Sequence, residues 1–239
     1  MSRIYWVTIC FNTFKDFNKP LSLVTYDSSQ IEIKRGSSTE GHELYIQTTE
    51  DEKDKAYEKS FRFLSELAWL FDTSIEVLER GGGSRKISFN VSNMTFNRVP
   101  NCIDLDNYQQ VAFDNNQKLA LGIYREGLSS NSKFYAFLSY FKIINILYRT
   151  ASDQINWINS NIGNLPNSDL LQVLTRKGIT NFGDQLYKSG RCAIAHACIL
   201  TRKPIADADN INDIFRISEE LPLIKEFAKI FIRNELNVR

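Results

Sequence analysis

Residues 189–200 read SGRCAIAHACIL and hold one of the two histidines of the chain. Arg191 stands five places before His196, with Cys192, Ala193, Ile194 and Ala195 between them. These two residue types suit phosphoryl chemistry without a metal. A histidine titrates near neutrality and can take or give a proton. An arginine presents a fixed fork of donors that matches phosphate oxygens as negative charge builds on them. A 2′-hydroxyl deprotonated by His196 would attack the adjacent phosphate of RNA, giving a 2′,3′-cyclic phosphate and a free 5′-hydroxyl. Residue types alone equally allow a structural Arg and His in a packed helix, since reactive groups are the minority of such residues.

Nothing else in the chain competes as a reaction centre. HExxH, GxSxG and a strand-following GxGxxG are absent. Cys10, Cys102, Cys192 and Cys198 form no CxxC pair and no zinc spacing with His196. They are expected as reduced, buried thiols. His42, in TEGHELYI, is expected as a solvated surface residue at a turn before a strand. The glycines of RGGGSRK lack the GxxxxGK[ST] spacing and are expected as a turn rather than a phosphate loop. No metal and no cofactor are expected.

Spacing sets a geometric problem for the Arg–His pair. At 100° per residue their side chains diverge by roughly 140° around an ideal α-helix. They converge only if the helix begins near Ser189 and Gly190, if the arginine reaches along a groove, or if a second copy of the chain brings its own pair.

The positioning elements fall into two textures. Residues 4–14 are rich in β-branched and aromatic residues, LSLVTYD and IEIKRG follow, and HELYIQTTED alternates apolar with polar. These predict three or four short antiparallel strands. Residues 54–80 carry a helical stripe through Tyr57, Phe61, Leu64, Leu67 and Phe71, ended by Gly81, Gly82 and Gly83. KISFNVSN then alternates as a further strand. After about residue 105 the chain turns helical. NNQKLALGIYREGL predicts one helix, and SKFYAFLSYFKIINILYRT a longer one capped by Ser132. SDQINWINSNI predicts a third, capped by Ser152 or Asp153. A brief helix lies within the Gly- and Pro-broken residues 163–183. A helix through Arg191 and His196 ends before Pro204, and a last one carries a break or kink at Pro222. The fold class is therefore α+β: residues 1–105 form a small strand-plus-helix domain of unassigned role, and residues 112–239 form an all-α bundle.

Composition bounds the rest. The chain has 239 residues, 43% hydrophobic and 24% charged, as in an ordinary soluble protein. A net charge of +1 gives no global field toward nucleic acid or an anionic membrane, so any RNA contact must come from a local patch. Lys188, Arg202 and Lys203 flank the Arg–His helix and could supply one. Tyr187 could stack on a base. No apolar run approaches the ~20 residues of a membrane span, and the N-terminus lacks a signal-peptide pattern, so a cytoplasmic location without membrane contact is expected.

The R-x4-H motif on a late helix, the run LYKSGRCAIAHA and the early aromatic helix FYAFLSYFKIINILYR resemble the HEPN superfamily, in particular its Apea-like and methylamine-utilisation-accessory members. The resemblance covers residues from about 112 to 239. It implies a HEPN helical bundle that forms a homodimer through its helices, with two R-x4-H motifs facing one cleft. It implies a metal-independent endoribonuclease on single-stranded RNA, of the kind that serves as a toxin or an antiviral defence effector. Arg191 would stabilise the phosphate and His196 would act as general acid or base. Asn145 and Tyr148 on the early helix would line the cleft with Tyr187, Lys188, Arg202 and Lys203. In many active members the residue after the arginine is polar, whereas here it is Cys192. The alternative reading is a non-catalytic HEPN module that dimerises or binds a protein or nucleotide.

Overall fold

The structure, a computed structural model, describes residues 3–91, 94–196 and 205–239. The chain divides into two compact units, Met1–Asp114 and Asn115–Arg239, and it is an α+β protein.

In the first unit, β1 (Ile4–Thr13) pairs antiparallel with β5 (His42–Thr49) on one side and with β6 (Ile75–Gly83) on the other. Outside β5 lie β4 (Ser29–Lys34) and β3 (Leu21–Tyr26), giving the order β3-β4-β5-β1-β6. Two short strands, β2 (Lys15–Phe17) and β7 (Val99–Ile103), pair in parallel beside this sheet. Period-two alternation puts Val7, Ile9 and Phe11 on one face with their cross-strand partners Ile46, Leu44 and His42. Helix α1 (Lys53–Leu70) packs against this sheet and buries Phe63, Leu64, Leu67 and Ala68.

The structure corrects several expectations for this unit. The stripe expected as one helix through residue 80 stops at Leu70, and residues 75–83 are strand β6. Ile75, Val77 and the glycines find backbone partners along β1, and cross-strand pairing overrides a local pattern that suits either element. Gly81, Gly82 and Gly83 are thus ladder residues rather than a turn. A Cβ on Gly82 would overlap the Trp6 carbonyl, and one on Gly81 would press on Ile87 and Phe89. Residues 86–91 of KISFNVSN are not strand, and its last two residues lie outside the described set. The segment crosses the sheet instead, with Ser88 Oγ and the Phe89 N–H both donating to the Glu43 carboxylate. Finally, His42 is fully buried, not solvated.

The second unit is helical. Helices α2 (Asn115–Ser129), α3 (Lys133–Ile144) and α8 (Ile211–Asn234) make its core, α3 packing on both others, with Tyr140 of α3 against Tyr124 and Gly127 of α2 and with Phe137, Phe141, Phe227 and Phe231 buried. Ser132 caps α3 as expected, accepting the Tyr135 N–H. The cap of α4 (Ala151–Ser160) is Thr150 rather than Ser152 or Asp153, because its hydroxyl takes the Asp153 N–H. Pro222 sits inside a continuous α8. Helix α5 (Asp169–Arg176) is the brief helix in the Gly- and Pro-broken stretch. Then α6 (Phe182–Gln185) runs through a π-helical stretch, Leu186–Cys192, into α7 (Ala193–Ala195). The helix expected to run through His196 to before Pro204 instead ends at Ala195, with His196 extended, and residues 197–204 lie outside the described residues. No helix among the described residues is long and apolar enough to cross a membrane.

Candidate functional site

The helical run from Phe182 to Ala195 starts where Asn181 accepts the Asp184 N–H. Two glycines let it sit close to its neighbours. A Cβ on Gly183 would overlap the Ile155 carbonyl of α4, and one on Gly190 would overlap the Phe137 ring of α3. Phe141 meets Tyr187 at 6.0 Å between ring centroids. The two helices therefore run antiparallel, with Gly190 opposite Phe137 and Tyr187 opposite Phe141.

The turn between Arg191 and His196 is α-helical and follows a π-helical stretch that ends at Cys192. Within that stretch the backbone bonds residue i to i+5 in place of the α-helical i to i+4. The Ala193 N–H shows the change directly: it donates to the Lys188 and Gly190 carbonyls and passes over Ser189, its α-helical partner. His196 then leaves the helix in an extended conformation, φ −124° and ψ 111°, with its N–H still on the Cys192 carbonyl at 3.1 Å. The result is a direct contact of 3.4 Å between Arg191 Nη1 and His196 Nε2, with His196 exposed. The guanidinium donates, so Nε2 carries its lone pair and the ring hydrogen sits on Nδ1 in this arrangement. No second copy is needed to bring the pair together.

Around the pair, Arg191 Nη1 lies 3.7 Å from Cys192 Sγ, and its guanidinium sits 5.7 Å from the centre of the Tyr187 ring. Burial pushes the Tyr187 phenol above its usual pKa, a hydrogen bond with the Cys192 thiol adds to this, and Arg191 acts the other way. Cys192 therefore occupies the polar position beside the arginine, as a weak sulfur acceptor.

Beneath the pair, α8 contributes polar groups that sequence reasoning did not single out. Arg216 Nη1 donates to the Ser189 carbonyl, and Arg216 Nη2 donates to Asp213 Oδ1 at 3.0 Å. Glu220 is 1% exposed; its Oε1 accepts from Gln185 Nε2 at 2.8 Å and its Oε2 lies 3.7 Å from Arg216 Nη1. Burial pushes the Glu220 carboxyl up, against the pull of Gln185 and Arg216. The signal was present in the sequence: Glu220 falls on the apolar stripe of Ile217, Leu223, Ile224 and Phe227, where a carboxylate needs a partner.

The other expected site residues separate. Lys188 is exposed and paired with Asp184 at 2.9 Å. Tyr187 lies between Phe141 and Arg191. Asn145 ends α3, eight residues beyond Phe137, or about 12 Å along the axis at 1.5 Å per residue. The antiparallel crossing puts it at the end away from His196. Tyr148 packs on Trp157 and Phe231, and its hydroxyl donates to Glu235 Oε2 at 3.4 Å. The structure thus gathers Arg191, His196, Tyr187 and Cys192, and does not bring Asn145 and Tyr148 to them. Arg202, Lys203 and Cys198 lie outside the described residues. Among those described, no group of three or more His, Cys, Asp or Glu residues could hold a metal ion.

This geometry defines an α+β protein with a half-buried arginine paired to an exposed histidine on its helical unit. Residues 120–233 match the family model described as methylamine utilization protein MauJ. That span begins in α2, ends in α8 and contains both Arg191 and His196. No curated protein and no solved structure matches the chain.

Proposed function

We propose that the helical unit is a HEPN-type module that cleaves RNA without a metal, through attack of a 2′-hydroxyl on the adjacent phosphate. The observation that carries this reading is the 3.4 Å contact between Arg191 and His196 on an exposed turn. The match to the MauJ family over residues 120–233 supports it, since the HEPN resemblance rests on the same helices. Arriving RNA offers its phosphate to the Arg191 guanidinium, a better partner than a neutral imidazole. Transfer of the guanidinium frees His196 Nε2. That nitrogen takes the 2′-hydroxyl proton, the oxygen forms its bond to phosphorus, and the P–O5′ bond breaks. A 2′,3′-cyclic phosphate and a 5′-hydroxyl result, the leaving oxygen receiving its proton from a second acid, the His196 of another copy in the dimer. Single-stranded RNA is the substrate class, because only a flexible strand turns its 2′-hydroxyl into line with the leaving oxygen.

Incubation of purified protein with mixed single-stranded RNAs in EDTA tests this. Cleavage leaving cyclic phosphate ends is expected, falling at least ~100-fold in His196→Ala, the usual scale of one general acid–base group. Intact RNA at every protein concentration sinks the reading. The second reading, a non-catalytic dimerisation or binding module, is favoured by one observation: Arg191 is already engaged by His196, Tyr187 and Cys192. It predicts that Arg191→Ala changes self-association or stability and no turnover.

A further inference from the structure

We propose that Glu66 is a proton-operated latch on the chain that joins the two units: its neutral carboxyl lets residues 104–111 close over α1 and β3, and its ionisation releases them. The latch acts within the first unit and does not depend on the ribonuclease reading.

Strand β7 ends at Ile103 and α2 begins at Asn115, and residues 104–114 between them form neither helix nor strand. Much of this connection lies against the first unit. Leu105 is buried, and the Tyr108 ring meets the Phe63 ring of α1 edge-on, at 5.5 Å between centroids. Phe63 meets Tyr26 of β3 in the same manner at 5.4 Å. Gln110 Oε1 accepts the Asp27 N–H at 2.6 Å, and Asp106 pairs with Lys19 at 2.5 Å on the surface.

Glu66 follows Phe63 by one turn of α1 and sits at this contact. It is 1% exposed, and both of its carboxyl oxygens are sealed from water. Tyr108 and the Val111 backbone approach it from the connection, and Tyr26 from β3. None of them makes a close, well-aligned hydrogen bond to either oxygen. Arg62 of α1 and Asp27 beyond β3 bear on Tyr26, and no cation is among the groups that act on Glu66. A neutral carboxyl is stable in such a place, whereas a carboxylate there must be paired or hydrated. Burial accordingly raises the Glu66 pKa, against a smaller opposite pull from Tyr108, Val111 and Tyr26.

Hydration of the carboxylate requires one wall to move. Helix α1 and strand β3 belong to the packed sheet and helix, through Leu64, Leu67 and Val24. The connection has no regular structure, and its one ion pair is exposed and worth little. It is the wall that moves at least cost. Once it has opened, Glu66 is solvated and titrates near its ordinary 4.5, below its value in the closed form. Protons therefore favour closure. Opening is least below about pH 4.5 and grows by up to tenfold for each pH step of one, until the pKa of the closed form is passed.

The full chain tests the latch, with its Phe and Tyr rings and its Glu carboxyls isotope-labelled for NMR. The Phe63–Tyr108 ring cross-peak and the Glu66 carboxyl shift are followed together from pH 5 to pH 9. In the wild type the cross-peak is expected to fade as Glu66 ionises. In Glu66→Gln, whose side chain stays neutral, it is expected to persist throughout. Chymotrypsin at pH 8 should then cut after Tyr108 at least ~10-fold faster in the wild type than in this variant, the effect of one pH step on the opening equilibrium. Glu66→Met, neutral and of similar length, takes its place if Glu66→Gln does not fold. Ionisation of Glu66 with the cross-peak intact overturns the latch, as does a Glu66 that stays neutral through pH 9. A cross-peak that fades equally in the neutral variant overturns it too, because the trigger is then another group.

Discussion

Arg191 and His196 illustrate how a charge and a neutral base can wait on each other. The guanidinium commits its donor to a ring nitrogen that the proposed cleavage needs free, so under that proposal the pair is a resting arrangement that the phosphate displaces. His42, the other histidine, is the opposite case. Its ring lies between Phe11 and Phe17 at 5.3 and 4.9 Å, and its Nδ1 accepts the Gly36 N–H at 3.0 Å. Its Nε2 is 3.8 Å from Asp16 Oδ1, while Arg35 already holds the other Asp16 oxygen at 2.6 Å. Burial lowers the His42 pKa from 6.5 to about 3, and Arg98 and Arg35 add to the effect. The neutral ring is thus favoured in the fold. Its contribution to stability is complete above about pH 6.5 and drains away as pH falls toward 3, at roughly 1.4 kcal/mol for each pH step of one. Urea unfolding from pH 8 to pH 4 should therefore show His42→Asn less stable than wild type at pH 8, with the gap closing as the solution is acidified. A gap that stays constant across this range would mean that the ring is not held neutral.

At the scale of elements, glycines do most of the steering. Gly81 and Gly82 let β6 lie against β1 and beneath Ile87 and Phe89, and Gly190 lets the π stretch touch α3. Gly190→Ala should act through overpacking against Phe137, costing about 1–3 kcal/mol. A thermal melt is expected to show that loss, and Phe137→Leu in the same background should recover part of it by making room. No recovery would place the cost elsewhere than in this contact. The cysteines fit the same picture of packing before chemistry: Cys10 is buried beside Gly41, where burial pushes its thiol up to about 11, and Cys102 and Cys192 are free and half-buried.

Across the whole molecule, a net charge of +1 means that the proposed RNA contact would rest on a few local cations. If one Arg191 from each copy of a dimer meets phosphate, the plot of log affinity against log salt for single-stranded RNA should slope at about −1.4, each further cation adding about −0.7. Binding measured on His196→Ala, which should not turn substrate over, checks this. A slope near zero would remove phosphate contact from the picture, and a slope steeper than about −3 would bring in residues beyond Arg191, with Arg202 and Lys203 the first to substitute. Cleavage per protomer should also rise with protein concentration if the second acid comes from another copy.

The chain's local patterns by themselves determined the α+β class, the strands up to residue 49 and the core helices with the Ser132 cap, and they singled out Arg191 and His196 as the candidate pair. Periodicities of 2 and 3.6 residues and cap chemistry act between near neighbours, so a sequence displays them. Strand β6, the burial of His42 and the use of residues 86–91 as a cover were decided only in three dimensions, because each depends on a partner more than thirty residues away. The site shows the same division. Arg191 and His196 were legible as residue types, and their spacing argued that they diverge. Their meeting came from His196 leaving the helix in an extended conformation, a helix end that the apolar run through Leu200 does not signal.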